Sequence, residues 1–518
     1  MNDRNPPPAA TGAGRAAGSR QHRARRGPGP ISRGLSLVIL LAVAATLAEV
    51  LLSTESGLLG RPAGSFDLDA GTVQIRPADL ILIVLTAATL LKILVDRSWG
   101  RLRSGADLAL LAVVLVMVLS AVVNDVAASL AGPALLTYVR GIAVFYALRV
   151  VDTSWAKLGA ILAIPAALLA ANVGAALAQL ALGSPAYRAV GHDDLAWADQ
   201  DRVQGLLAHP QQLGYALGLA LLGLTAWLAV RDRVGPAWWL AVAGSAVALA
   251  ATYSWESVAA ALAGVVLVAV LLRAHRGRVL AVGLILLTCT AAAVAVRPGT
   301  DRPAPAASAA PTGAATSFAP QPDTSPAPGA ADDRRSGVME AVQKLQSRPL
   351  LGHGTGRSAE IVAVDGAAAS PPGTGSGQLD SFWLRLVVET GLMGLIVYLV
   401  WLFAVARDLL TPTAPAGVRG PRPVPDTRAV WAVAAVLFAA LASVVSPALA
   451  DPVLPALLWT VAGVAWWARQ HAQAVQSSVA SAETAMLPRI RDVVGNMNQT
   501  EILSKDAIAA YDPESRQR

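Results

Sequence analysis

The chain is predicted to be an all-α membrane protein of about twelve transmembrane helices, with one large outer loop carrying a short amphipathic helix. Three observations predict this. Of its 518 residues 54% are apolar and only 14% charged, whereas soluble domains carry about a quarter charged residues. Apolar stretches recur at the length needed to cross a hydrocarbon core, roughly 20 helical residues. Arg and Lys gather in every second connection between those stretches, the charge pattern that orients membrane helices. A water-soluble enzyme is thereby excluded. The formal charge of +7 sits on a tail and on short loops, so it argues against a nucleic-acid partner. The single cysteine, Cys289, lies inside an apolar run, which excludes a disulfide framework and a thiolate metal cluster.

Spans are expected over 35–52, 79–95, 107–123, 134–151, 158–182, 211–230, 237–252, 255–272, 279–296, 382–406, 429–446 and 453–468. The pair 237–252 and 255–272 nearly touches and also fits a single re-entrant unit. Residues 1–34 form a basic, disordered tail, 35–296 the first nine spans, 297–381 the large loop, 382–468 the last three spans and 469–518 a polar tail. The even-numbered connections hold Arg97, Arg101, Arg103, Arg149, Lys157, Arg231, Arg233, Arg273, Arg276, Arg278, Arg407, Arg419, Arg422 and Arg428. The short odd-numbered ones hold only Arg61, Arg76, Arg188 and Arg202. Arg15, Arg20, Arg23, Arg25, Arg26 and Arg33 of the first tail share the even side, so both termini are expected in the cytoplasm and the large loop outside. Small residues Ala42, Val43 and Ala44 after a basic flank permit a signal peptide. The apolar run continues to Leu52 behind a long tail, however, and a retained span fits better.

The large loop has two textures. From Arg297 to Ala331 it is Pro, Ala, Ser and Thr, which cannot bury a core, so 297–331 is expected to be disordered. Residues 332–381 are expected to be ordered and to carry the chemistry. Val338, Ala341, Val342 and Leu345 repeat at helical spacing between Asp332-Asp333 and Pro349, predicting an amphipathic helix over 333–347 on the outer membrane face or against the bundle. The Gly-rich turn 349–356 follows, where glycines let the backbone approach a ligand and aim N–H groups at an anion. It lacks the Lys of a nucleotide-binding P-loop.

Ionisable groups near the outer ends of spans are the candidates for function, because such groups are costly within a bilayer. Arg140 lies inside the fourth span, where its alternatives are snorkelling or pairing with Glu49. Arg202, Gly205 and His209 precede Pro210, which suits the first turn of a helix. Arg334 and Arg335 near a helix start, with His353 and Arg357, form a third group suited to phosphate. For all of these the competing reading is a solvated basic cluster or turn packing. Asp380 is a good N-cap for the tenth span. Arg385 and Glu389 are spaced to meet on one helix face, as a self-satisfied pair or as substrate contacts. Gly391 and Gly394 suit close helix approach. Asp193, Asp194, Asp199 and Asp201 crowd one outer connection with a D-x-D spacing. No metal is expected there, since hard cations want several oxygen ligands.

Three segments together resemble the bacterial O-antigen ligase/polymerase superfamily of membrane glycan transferases. Arg202-Val203-Gln204-Gly205-Leu206-Leu207-Ala208-His209-Pro210-Gln211 resembles the family's R-x-x-G-x-x-x-H-P-N. Pro349-Leu350-Leu351-Gly352-His353-Gly354-Thr355-Gly356 resembles its P-x-x-G-x-G-x-G turn. Asp380-Ser381-Phe382-Trp383-Leu384, running into Glu389-Thr390-Gly391-Leu392-Met393-Gly394, is similar to its H-N-x-x-L followed by E-x-G-x-x-G. The resemblance covers about residues 135–465. Asp380 stands where family ligases have His, and Tyr253-Ser254-Trp255-Glu256 stands where many members have Ser-Arg. The Asp variant is closer to the polymerases.

The resemblance implies an inner-membrane enzyme without metal or cofactor that passes a glycan from undecaprenyl diphosphate to an acceptor sugar hydroxyl. Polymerisation of exopolysaccharide or O-antigen repeats is the preferred form, and ligation of finished polymer the alternative. It implies Arg202 with Arg334 or Arg335 as diphosphate clamps, Arg140 beneath them, His209 assisting and Asp380 as base. His353, Arg357, Arg385 and Glu389 are implied substrate contacts. A flippase and a chain-length regulator are the further partners expected. The competing class is a polysaccharide or lipid transporter, but the halves show no internal repetition and the link between spans six and seven is short. A third alternative is another lipid-dependent sugar transferase using Asp67 and Asp69.

Overall fold

The computed structural model describes residues 29–52, 77–139, 141–192, 195–273, 276–296, 330–357, 381–411 and 426–496. They form sixteen α-helices: α1 Pro30–Leu51, α2 Pro77–Asp96, α3 Gly105–Val123, α4 Ala128–Tyr138, α5 Ile142–Val150, α6 Trp155–Leu182, α7 Ser184–Ala189, α8 Ala196–Asp199, α9 Pro210–Leu228, α10 Pro236–Ala251, α11 Trp255–Leu271, α12 Arg276–Val296, α13 Ala330–Ser347, α14 Phe382–Leu410, α15 Thr427–Ala442 and α16 Val453–Asn496. A short 3₁₀ turn covers Trp99–Leu102, and no described residue is in a strand. Helices suit a bilayer because each satisfies its own backbone polar groups where no water is present.

Five helices (α1, α3, α6, α12 and α14) are long and apolar enough to cross a membrane alone, and α4 with α5 form a sixth candidate. Helices α10, α11 and α15 are apolar but shorter. The chain is therefore a multi-pass membrane protein. Each expected span falls on helix, with two differences: 382–406 is interrupted at Gly391 of α14, and 134–151 is not continuous but bends by 58° between α4 and α5. The reason is visible at the break. The Tyr138 carbonyl is taken by the Tyr398 hydroxyl at 3.2 Å, so a group lost from the helix ladder is satisfied by a neighbouring helix. The expected amphipathic helix is α13. Of the segment expected to be disordered, 297–331, only Ala330 and Ala331 are described, and they open α13; the rest lies outside the described residues.

Packing relies on small residues facing large ones, the usual device where lipid tails compete for apolar contact. Gly218 and Gly223 of α9 face Phe438 and Trp431 of α15, and Gly264 of α11 faces Leu222 of α9. Helix α3 runs antiparallel to α14. Asp408 accepts the Ala106 N–H at 3.2 Å near one end, and Ser120 reaches the Glu389 carbonyl at 2.8 Å near the other. These contacts define a lower end, with residues 92–107, 149–152 and 408, and an upper end, with residues 120–125, 348–357 and 381–391.

The lower end is closed by two ion clusters. Arg149, assigned to a loop from the sequence, is instead fully buried in α5. It donates to the Asp107 carboxylate of α3 and to the Arg101 carbonyl, and its guanidinium lies 4.3 Å from the centre of the Trp466 ring. Asp107 is held in a capping box with Ser104. Beside it, buried Lys92 donates to Ser32 Oγ at 2.8 Å, Asp96 at 2.7 Å and Asp152 at 3.2 Å, while Arg101 pairs with Asp152 at 3.0 Å. Partial burial of Asp152 disfavours its charge, but Arg101 and Lys92 outweigh that and hold its pKa below the usual carboxylate value.

Removing one partner of a buried ion pair costs about 3–5 kcal/mol, so Arg149→Ala is expected to lower the melting temperature in detergent sharply, whereas Arg97→Ala leaves it unchanged. The Asp152 contribution is fully present above the ordinary carboxylate range and is lost as pH falls through its lowered folded value. Thermal melts between neutral and acidic pH are therefore expected to fall less steeply in Asp152→Asn than in the parent chain.

Candidate functional site

Residues 201–209 cross the upper end without regular structure. Such backbone needs partners from within the protein, and α6 supplies them. Asn172 and Gln179 lie two helical turns apart, on one face of α6, and both are buried. The Gln179 amide oxygen accepts from the backbone N–H groups of Gln204 at 3.0 Å and Gly205 at 2.8 Å, and its nitrogen donates to the Gly205 carbonyl at 2.8 Å. The Asn172 oxygen accepts from Leu206 at 2.9 Å, while its nitrogen donates to Leu51 and Leu168, each at 3.0 Å. Tyr187 donates to the Arg202 carbonyl at 2.6 Å. Burial, reinforced by Asp201, pushes the Tyr187 pKa up, so it stays a neutral donor. The Val203 N–H takes the Ala251 carbonyl at 3.1 Å, joining the segment to the end of α10. Asn172, Gln179 and Tyr187 were not singled out from the sequence. For Asn172 and Gln179 the available signal is an amide inside an apolar helix, where an unpartnered one would be costly.

This scaffold brings Arg202 and His209 onto one aromatic ring. The Arg202 guanidinium lies 5.0 Å from the centre of Trp197, its Nε donates to the Thr252 carbonyl at 3.1 Å, and His209 meets the same ring edge-on at 6.1 Å. His209 is the N-cap residue of α9, with Pro210 in the first turn. Gln211 then donates to Glu256 of α11 at 2.8 Å, and Gln212 to buried Asp451 at 2.9 Å. Asp451 also accepts the Val453 N–H at 2.7 Å at the start of α16. Glu256 and Asp451 are acidic neighbours that sequence spacing did not connect to α9, because they arrive from distant spans.

The third part is the turn 348–357, docked on a break in α14. Gly391 has φ +69°, a conformation open to glycine, and the break releases carbonyls one turn earlier. His353 N–H takes the Val388 carbonyl, Gly354 N–H the Glu389 carbonyl and Leu392 N–H the Pro349 carbonyl, each at 2.9 Å. A Cβ on Gly352 would sit 2.6 Å from the Glu389 carbonyl carbon, so only glycine allows this approach. The Glu389 carboxylate is fully buried. It accepts from Tyr138 at 3.0 Å, from the Gly356 N–H at 2.9 Å and from Arg385 Nε at 3.1 Å. The expectation that this turn aims its N–H groups at an outside anion is thus corrected: they hold an internal carboxylate and the opened backbone of α14.

The remaining predicted residues distribute as follows. The His353 ring lies 3.0 Å from the Lys344 carbonyl and 3.2 Å from Ser347 Oγ, tying the turn to the end of α13. Arg357 donates to the Asp125 carbonyl at 3.4 Å. Arg348, not singled out earlier, donates to Asn124 beside it. Arg334 and Arg335 lie in the early turns of α13. Arg140, Asp193, Asp194 and Asp380 lie outside the described residues. The N-cap of α14 is Ser381, which accepts from Leu384, rather than Asp380. Ser381 Oγ also reaches the Ser443 carbonyl at 3.4 Å, and Phe382 N–H the Ser446 carbonyl at 3.2 Å. Among the described residues no three of His, Cys, Asp and Glu converge as a metal set.

Residues 240–399 match the family model of the O-antigen ligase. That stretch runs from α10 into α14 and contains Glu256, α13, the glycine turn, Arg385 and Glu389, while Arg202 and His209 precede it. No curated protein matches the chain.

Replacing Glu389 by Ala strands the Tyr138 hydroxyl and the Gly356 N–H, at about 1–3 kcal/mol for each buried orphan. Limited proteolysis in detergent is expected to cut Glu389→Ala within 348–357 faster than the parent chain, with Glu389→Gln between the two.

Proposed function

With an O-antigen ligase domain over residues 240–399, we propose that the chain is a membrane glycan transferase moving a glycan from undecaprenyl diphosphate to a saccharide hydroxyl. The polymerase type is preferred, acting on the periplasmic face of a bacterial inner membrane across twelve spans with both termini inside. The observation that carries this reading is the match itself, together with the gathering of Arg202, His209, Gln211, Gln212, Glu256 and Asp451 at the end of the bundle that also holds the glycine turn.

A polyprenyl diphosphate is already a good leaving group, so the protein's work is to position reactants and neutralise developing charge. Guanidinium forks do this without a metal. Arg202 with Arg334 or Arg335 grips the diphosphate, Arg140 and Arg357 extend the cationic surface, His353 and Arg385 contact the substrate, and His209 assists the departing oxygen. Asp380, adjoining the Ser381 cap of α14, takes the proton of the attacking hydroxyl. Glu389 keeps Arg385 and the turn in place. A flippase supplying the lipid-linked glycan and a chain-length regulator are the partners of such an enzyme. Ligation of finished polymer is the second reading, favoured by the description of the matched family.

A deletion strain decides between them. Accumulation of single repeats without long polymer is expected for a polymerase, and accumulation of finished, unattached polymer for a ligase; normal polymer in both pools overturns both. In complemented strains with matched protein levels, Arg202→Ala and the double substitution Arg334→Ala/Arg335→Ala are each expected to cut transfer about 100- to 1,000-fold, the scale of losing a charge-stabilising donor. Wild-type polymer in both strains removes the clamp assignment. Asp380→Asn is expected to abolish polymer while the lipid-linked repeat persists.

A further inference from the structure

The corner where α10 gives way to α11 has no part in that mechanism. Tyr253, in the break, holds φ +53°, a left-handed conformation that is costly for an aromatic residue and persists only where the surroundings enforce it. They do so here. The Tyr253 hydroxyl donates to the Ala293 carbonyl of α12 at 3.3 Å, Arg202 takes the Thr252 carbonyl, and Val203 takes that of Ala251. The turn so enforced opens α11 with Trp255, whose side chain is 41% exposed and whose ring meets Tyr253 edge-on at 5.9 Å. The next residue, Glu256, accepts from Gln211 of α9 at 2.8 Å.

An exposed indole, a phenol ring, a carboxylate and an amide thus gather around the start of α11, with Tyr253 reaching α12, Glu256 meeting α9 and Arg202 bound to the preceding turn. An aromatic face suits the apolar C–H face of a pyranose. A carboxylate accepts hydroxyl protons, and an amide both donates and accepts. A carboxylate at this position disfavours phosphate by like charge. We propose that Tyr253, Trp255, Glu256 and Gln211 form a saccharide subsite that seats the acceptor glycan, next to the cationic surface assigned to the lipid diphosphate. The acceptor role rests on the transferase reading; saccharide binding does not. Tryptophan at a bilayer interface also serves as an anchor, and the experiment separates the two roles.

The full chain in lipid nanodiscs is titrated calorimetrically with repeat-unit oligosaccharide released from the source bacterium's own polysaccharide. Transfer from the lipid-linked repeat is then followed at varied oligosaccharide concentration. Trp255→Ala and the isosteric Glu256→Gln are each expected to weaken oligosaccharide binding and raise the acceptor KM about tenfold, the scale of one lost buried contact, with donor KM unchanged and with Trp255→Phe recovering most of the loss. Thermal melts matching the parent chain identify variants that have folded, and Glu256→Gln serves if Trp255→Ala does not. Binding and acceptor KM within about twofold of the parent, in folded variants, make Trp255 an anchor and end the proposal. A rise in donor KM instead assigns this corner to the diphosphate and overturns it equally. Oligosaccharide binding that depends on Trp255, in a chain that transfers no glycan, upholds the subsite and refutes the transferase reading.

Discussion

The two irregular stretches described at the upper end depend on one constraint: within a bilayer, backbone N–H and C=O groups must find partners in the protein. The segment 201–209 and the turn 348–357 each leave the helical ladder, and each is repaid by buried side chains. Gln179 and Asn172 take the first segment, and Glu389 with Ser120 takes the second. These side chains touch no reactant in the proposed mechanism. They fix the backbone that carries Arg202 and His209 and the turn tied to the end of α13.

The two devices differ in chemistry. An amide both donates and accepts, so Gln179 alone can bind the N–H and the C=O of Gly205. A carboxylate only accepts. Glu389 therefore collects three donors from three elements, Tyr138, Gly356 and Arg385, and fixes the end of α4, the turn and α14 relative to one another. A buried carboxylate with fewer donors would be destabilising. The same donors account for the close seating of the glycine turn, whose N–H groups are directed inward rather than to solvent.

Spans and helix α13 were legible from the sequence because they depend on local quantities, run length and the 3.6-residue period. Twelve apolar runs and the basic connections were all visible in that way, although length and hydropathy single out only five helices and one bent pair as spans by themselves. The bend after Tyr138 was not legible, because its stabilising contacts come from Tyr398 and Glu389, more than two hundred residues away. Arg149 was misplaced for a related reason. A cation at the end of an apolar run resembles a loop residue unless its partners, Asp107 and Trp466, are known. The glycines of the turn were recognised as sites of close approach, but to α14 rather than to a ligand. Of the candidate site, Arg202 and His209 were found through their short-range motif, whereas Glu256 and Asp451 emerge only when distant spans meet α9.

The two ends satisfy their polar groups in different ways. At the lower end Lys92, Asp96, Asp152, Arg101, Arg149 and Asp107 answer each other's charges. Such a cluster binds helices together and presents little to an outside anion. At the upper end the backbone is irregular, Glu256 and Asp451 accept from side-chain amides of α9, and Arg202 meets a backbone carbonyl and an aromatic ring. The lower end is thus held by paired charges between helices, and the upper end by buried amides, hydroxyls and a carboxylate that bind irregular backbone.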